Sequence, residues 1–341
     1  MVGLDLLESS LILQKGLSMR IRLLIMITGL ATVAVATPAS ATFKGPAGRY
    51  AFDAYEGYPS APAVYVSDSH GKSRQRVLRN ASAMGWSRDG TRILMIVRTS
   101  TLNSLWVAKW NGTGLSRIAL SPTIARNLID HAAWAPDGRH IAFSFAQAGR
   151  SVIYTMRTDG KELKRIAVNA DWPTWSGSGL IGFRLMPKNN TYLARGLAVM
   201  RSDGTHVATL TTGPDSRPSY SPDGKRLLFN RLVPGPKYAS NDPAVVTVAS
   251  RRVSMIKLPP AYHPDDLDRS SGPLQPVGPE WAPSGTMFYS YGYGDVNANQ
   301  HTIVMGLSPN GTGAHRLFEI IVPTTPSTNW STGYFYQGTH R

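Results

Sequence analysis

Seven side chains in this sequence have types and offsets suited to a shared site. Asp130 and His131, Asp171 and Trp172, Asp215 and Arg217, and Glu280 stand one to five residues before an aromatic residue, at Trp134, Trp175, Tyr220 and Trp281. Carboxylates converging on one axis could hold a metal or a cationic ligand. With His131 they could serve as an acid–base pair. The plainer expectation is that these acids cap turns or pair with nearby arginines. His131 lacks the His-x-x-x-His or His-Glu-x-x-His spacing of a zinc site. Asp295-Val296-Asn297-Ala298-Asn299 offers the first three ligand types of a calcium loop. It lacks the following Gly and the twelfth-position Glu, so a polar hairpin is expected, with calcium as the alternative and no other cofactor.

Composition removes other chemistries. The 341 residues include no Cys, which excludes disulfide frameworks, thiolate metal sites and cysteine nucleophiles. No Gly-x-Ser-x-Gly elbow occurs. Gly (32) and Pro (24) are abundant enough to punctuate many short strands, which argues against a helical bundle. A net charge of +15 favours an anionic polymer or lipid surface over a neutral one. The basic residues are dispersed and form no nucleic-acid motif, so nucleic-acid binding is not expected.

The elements that must position the seven side chains come from an internal repeat. Gly85-Trp86-Ser87-Arg88-Asp89-Gly90 returns as Ala133-Trp134-Ala135-Pro136-Asp137-Gly138 and as Ser219-Tyr220-Ser221-Pro222-Asp223-Gly224. Looser copies surround Trp175, Trp281 and Trp330. The aromatics are separated by 48, 41, 45, 61 and 49 residues, the range of four-stranded propeller blades. The aromatic supplies a large apolar body. Asp89, Asp137 and Asp223 bond back to the backbone in a tight turn, which accounts for them without catalysis. A continuous apolar run follows each turn, as expected of a strand buried on both faces.

Residues 42–85 hold three strands of a blade without its aromatic opening, and residues 330–341 hold an opening with little after it. The two tails are therefore expected to build one blade together, giving six blades in all. Residues 334–336 could duplicate the second strand already supplied by residues 50–52, which leaves their pairing open. The excess in the 61-residue unit lies in 233–242 and 259–279, long segments of the kind that carry recognition.

Residues 1–41 read differently. Met19, Arg20 and Arg22 precede an apolar run at 23–36 and a small-x-small site, Ala39-Ser40-Ala41. A secretory signal peptide is expected, with its start at Met19 and cleavage before Thr42. The run is too short to span a bilayer as an ordinary helix, and no transmembrane segment is expected in the mature chain.

The copies Ser219-Tyr220-Ser221-Pro222-Asp223-Gly224-Lys225-Arg226-Leu227-Leu228-Phe229 and Trp134-Ala135-Pro136-Asp137-Gly138-Arg139-His140-Ile141-Ala142-Phe143 resemble TolB-type propeller repeats, a branch of the WD-like class. The resemblance covers 42–341 and implies an all-β, six-bladed β-propeller of four-stranded antiparallel blades. It does not extend to the α/β domain that precedes the propeller in TolB, nor to the hydrolase domain of propeller-bearing peptidases. The expected protein is a secreted or periplasmic monomer, a non-catalytic scaffold for a protein or an envelope polysaccharide. The alternative is a secreted carbohydrate-active hydrolase or lyase using Asp130, His131, Asp171 and Asp215 at the channel mouth.

Overall fold

The computed structural model describes residues 48–55, 62–99, 103–188, 194–234, 240–258, 277–282, 284–294, 299–308, 310, 312–323 and 335–337. The chain divides into two units, Met1–Pro38 and Ala39–Arg341, and everything below concerns the second. The leader, Trp330, residues 295–298, half of the first long segment (235–239) and most of the second (259–276) lie outside the described residues.

Six antiparallel four-stranded sheets make up the unit. The chain opens with β1 (Tyr50–Tyr55), β2 (Pro62–Ser67) and β3 (Gln75–Leu78). The second blade is β4 (Ala81–Trp86), β5 (Arg92–Arg98), β6 (Asn103–Lys109) and β7 (Ser116–Arg117). A single helical turn, α1 (Pro122–Ala125), leads into the third: β8 (Ile129–Trp134), β9 (His140–Gln147), β10 (Arg150–Arg157) and β11 (Lys164–Val168). The fourth is β12 (Ala170–Trp175), β13 (Leu180–Leu185), β14 (Leu197–Arg201) and β15 (Ala208–Thr209). The fifth is β16 (Asp215–Tyr220), β17 (Arg226–Val233), β18 (Ser240–Thr247) and β19 (Val253–Met255). The sixth is β20 (Val277–Trp281), β21 (Met287–Gly294), β22 (Asn299–Leu307) and β23 (His315–Pro323).

The last strand, β24 (Phe335–Gln337), joins the first sheet in the order β24-β1-β2-β3, pairing Tyr50 with Gln337 and Phe52 with Phe335. The two tails thus share a blade, as expected. The ambiguity over 334–336 resolves: the C-terminal strand is the first strand of that blade, not a second copy of the next. Every first strand touches its neighbours, from β4 through β8, β12, β16 and β20 to β24 and back to β4. These six strands form the inner ring, closed without an open seam.

The repeat builds this ring as its chemistry predicts. Ser87 Oγ donates to Asp89 Oδ1 at 2.5 Å, and Thr91 N donates to the same oxygen at 3.1 Å. Ser221 and Lys225 treat Asp223 alike. Gly90, Gly138 and Gly224 take positive φ values of 65° to 68° in these turns. The aromatics wedge between blades: Trp281 and Tyr220 are fully buried, and Trp86, Trp134 and Trp175 nearly so. Burying such a ring stabilises by roughly 2–3 kcal/mol. Arginines lid two of them from the preceding blade, Arg92 over Trp134 and Arg226 over Trp281.

Candidate functional site

The inner strands share one burial rhythm. The aromatic and the residue two before it are buried, whereas the residue one before it is half-buried in all five blades that carry the aromatic. In the third to sixth blades the residue three before it is half-buried as well. Because these strands form the inner ring, their half-buried positions line up from blade to blade around it. One axial ring holds Gly85, Ala133, Thr174, Ser219 and Glu280. The other holds Ala83, His131, Trp172, Arg217 and Gly278, of which Ala83 is buried. All seven candidate residues lie within the inner strands β8, β12, β16 and β20.

A one-residue bulge with left-handed backbone aims the side chains of the fourth to sixth blades. In β12 the register slips between Asp171 and Thr174, in β16 between Ser216 and Ser219, and in β20 between Val277 and Glu280. The residue three before the aromatic becomes left-handed there, with φ of 52° at Trp172, 54° at Arg217 and 59° at Gly278. A proline follows each one: Pro173, Pro218 and Pro279. Proline has no N–H, so it suits a place where the ladder is broken. The bulge swings the preceding side chain out of the strand's alternation. Trp172 still has an N–H, and it donates to Ser144 Oγ of the third blade at 3.3 Å.

These geometries bring three candidates together. The His131 and Trp172 rings stack with centroids 4.8 Å apart and planes 11° apart. The Arg217 guanidinium lies 5.0 Å from the centre of the Trp172 ring. Imidazole, indole and guanidinium from three successive blades thus form one ladder. Left-handed backbone at two bulky residues costs roughly 1–2 kcal/mol apiece. Such outliers persist where the surroundings over-determine them, commonly at ligand sites.

The acids take other roles. Asp171 Oδ1 and Oδ2 accept from Arg184 Nε at 2.6 Å and Nη2 at 2.5 Å. Asp215 is held the same way by Arg231, at 2.7 and 2.8 Å. Both aspartates are buried, and each arginine is its aspartate's cross-strand partner on the same blade. Burial pushes the Asp171 pKa up against the pull of Arg184. Asp130 is exposed on β8. Glu280 stands on the axial ring of the sixth blade, and burial alone raises its pKa well above the ordinary carboxyl range. The residue as a whole is half-buried. Among the described residues no group of three or more His, Asp or Glu side chains is arranged to hold a metal ion. No helix among them is long and apolar enough to cross a membrane.

Sequence reasoning missed Arg184 and Arg231. Their signal was an arginine just past the apolar run that follows the turn, in Phe183-Arg184 and in Phe229-Asn230-Arg231.

A closed ring of six four-stranded antiparallel blades, with its first and last strands in one sheet, defines the class: a six-bladed β-propeller. Within that class the chain belongs to the TolB beta propeller domain family, whose model matches residues 40–244. It is 26% identical over 145 residues to the protein TolB homolog of Chlorobium luteolum, across 41% of this chain and 31% of that protein. An uncharacterized protein of Agrobacterium fabrum is 27% identical over 188 residues, across 50% of this chain and 62% of that one. The chain thus aligns with less than two thirds of either relative. The solved TolB of Acinetobacter baumannii superposes with a TM-score of 0.57 at 15% identity, covering 85% of this chain and 67% of that chain, a likeness of fold.

Proposed function

We propose that this protein is an exported binding propeller that holds a protein partner, or a segment of envelope polymer, at the axial surface carrying His131, Trp172 and Arg217. The observation that carries this reading is the ladder itself. Three blades each contribute one large side chain to one stack, and two of them do so on strained backbone. Aromatic and arginine side chains clustered in a half-buried patch are what binding surfaces concentrate. Asp171 and Asp215, the acids an acid–base mechanism would need, are each occupied by an arginine. That favours recognition over hydrolysis.

Export follows from the leader reading, and the mature amino terminus is expected at Thr42 by terminal sequencing. The binding reading is tested by capture from an envelope extract with the wild type and with Trp172→Gly and Arg217→Gly, each shown to be folded by circular dichroism. A partner retained by the wild type and lost by both variants is the expected outcome. Equal capture by all three proteins, or release of sugar fragments from envelope polymer by the wild type, would overturn it.

A further inference from the structure

Among the described residues six large apolar side chains are exposed: Leu115, Leu128, Leu163, Val168, Val207 and Met255. Such residues need no explanation when scattered singly. Three of them are not scattered. Leu115, Leu163 and Val207 take the same place in three successive blades, at the end of the turn that joins the third strand to the fourth. The turn closes in the same way each time, with Lys109 N donating to Thr113 O, Arg157 N to Lys161 O and Arg201 N to Thr205 O, all at 2.9 Å. A left-handed residue then precedes the apolar one: Gly114, Glu162 and His206, with φ of 63°, 56° and 56°. Glu162 and His206 hold this backbone without the freedom of glycine, and in both blades an exposed aliphatic residue follows. The equivalent places in the first and sixth blades, after left-handed Ser73 and Gly313, hold Arg74 and Ala314, so the large aliphatic residues belong to three neighbours.

Each of these turns lies against the blade before it. A Cβ at Gly160 would stand 2.8 Å from Ala119 O, just past the second blade's outer strand, and one at Gly204 would stand 2.5 Å from Ile166 O in the third blade's. Lys164 Nζ of the third blade donates to Asp203 O in the fourth blade's turn at 3.1 Å. The three apolar residues thus follow one arc along the rim, and its surroundings are basic. Residues 109–117, 157–165 and 201–209 carry seven Lys or Arg against three acids. All three acids are engaged: Asp159 with Arg157 at 2.9 Å, Glu162 with His140 and Arg157, and Asp203 with Thr205 N at 2.8 Å. Lys109, Arg117, Lys161, Lys164, Arg165 and Arg201 are exposed. Charge on an outer strand discourages pairing with other chains, which accounts for the basic residues but not for the aliphatic ones among them.

We propose that this arc docks the protein on an anionic phospholipid surface, with Leu115, Leu163 and Val207 entering the headgroup layer and the lysines and arginines around them meeting lipid phosphates. Apolar and basic side chains interleaved in this way suit a charged membrane surface. A protein interface would gather the apolar groups into a core depleted of charge. The arc lies at the end of the blades that carries the Asp-Gly turns, as the bond from Thr158 N to Arg139 O at 2.8 Å shows. It shares no residue with the His131–Trp172–Arg217 ladder, and the two surfaces act independently.

The leader has an apolar run of its own, so the test uses the chain from Thr42, which carries the whole six-bladed unit. Co-sedimentation is measured with vesicles of phosphatidylcholine alone and of phosphatidylcholine mixed with phosphatidylglycerol. Retention on the mixed vesicles only, weakened by added salt, is the expected result. Leu115→Ser, Leu163→Ser and Val207→Ser combined should lower the partition coefficient about tenfold or more. Lys164→Gln and Arg165→Gln should each lower it about fivefold. Leu128→Ser, exposed ahead of β8 and outside the arc, should leave it unchanged. Circular dichroism melting checks that each variant is folded. If the combined variant is not, Leu163→Ser and Val207→Ser are read singly, each expected to lower partitioning about threefold or more. No retention on the mixed vesicles, or equal retention on both kinds, would overturn the proposal. So would retention that falls with the charge variants and not with the serine ones, which is adsorption of a basic protein without a docking arc. A dimer in solution that the combined variant dissociates, measured by sedimentation equilibrium, would assign the arc to a second copy and overturn it as well.

Discussion

The indole of Trp172 lies flat against the imidazole of His131, 4.8 Å between centroids, although the two belong to different blades. The contact depends on the left-handed φ of 52° at Trp172, which the bulge before Pro173 imposes. Side-chain stacking and backbone strain are therefore opposed at one residue. Trp172→Gly removes stacking and cation–π contacts worth about 1–2 kcal/mol and relieves roughly 1–2 kcal/mol of strain. Trp172→Ala removes the contacts and keeps the strain. By urea unfolding, Trp172→Gly is expected within about 1 kcal/mol of the wild type, and Trp172→Ala about 1 kcal/mol below the glycine variant. An alanine variant more stable than the glycine variant would contradict the assignment of strain.

The Asp171–Arg184 pair is bidentate, with the aspartate buried and the arginine's side chain 19% exposed. Removing one partner of such a pair leaves a charge without its complement, at a cost of about 3–5 kcal/mol. Asp171→Ala is expected to lose about 3 kcal/mol at the lower end of that range, because the arginine keeps some access to water. Asp171→Leu combined with Arg184→Leu is expected to regain most of it, because the two apolar side chains fill the space without desolvating a charge. A double variant as unstable as the single one would mean that the pair contributes more than mutual neutralisation.

The fold was legible because its signals repeat. Trp86, Trp134, Trp175, Tyr220 and Trp281 each close an inner strand, and the turn after each carries a Gly in the left-handed region. Closure by the tails was legible from the unfinished blade at each end, three strands without an opening at 42–85 and an opening with little after it at 330–341. The site was legible only as residue types at a common offset. What was hidden is the left-handed bulge, which converts an offset into a direction. Its mark is the proline two before the aromatic, present at 173, 218 and 279 and replaced by Met84 and Ala132 in the second and third blades. The occupation of Asp171 and Asp215 was equally hidden, because Arg184 and Arg231 reach them across a strand pair whose register a single sequence does not display.

Closure by β24 has a measurable consequence. Its pairing with β1 supplies backbone hydrogen bonds worth about 1 kcal/mol each, and its contacts with β4 and β20 hold the first blade to its two neighbours. A chain ending after residue 334 is expected to lose at least about 2 kcal/mol and to unfold in one transition at lower temperature. Adding residues 335–341 back as a free peptide should raise that transition in a concentration-dependent way. A truncated chain that melts with the intact one would show that the ring does not depend on its last strand.

On the third blade His140 joins two turns, Nδ1 meeting Asp137 Oδ2 at 2.5 Å and Nε2 meeting Glu162 Oε2 at 3.1 Å. Burial opposes a charged ring here, but the hydrogen bonds and charges of the two carboxylates outweigh it and raise the His140 pKa above its ordinary 6.5. For Asp137 burial is again the largest single influence, and its hydrogen bonds overcome it and lower the pKa. For Glu162 the hydrogen bonds from His140 and Arg157 lead, and they lower its pKa as well. A histidine raised in the folded state contributes stability that is complete below its unfolded value and disappears as pH climbs through the folded one. A carboxylate lowered in the folded state contributes stability that is complete above its unfolded value and disappears as pH falls through the folded one. The three groups therefore act together between the ordinary glutamate value of 4.5 and the ordinary histidine value of 6.5. His140→Gln keeps a neutral hydrogen-bonding group between the turns and removes the charge. Urea unfolding of both proteins at pH 5.5 and at pH 8.5 is expected to show the wild type's advantage at the lower pH and to show it shrinking at the higher one. An advantage of the same size at both values would mean that the ring is neutral between its two carboxylates and that the turns are joined by hydrogen bonds without charge.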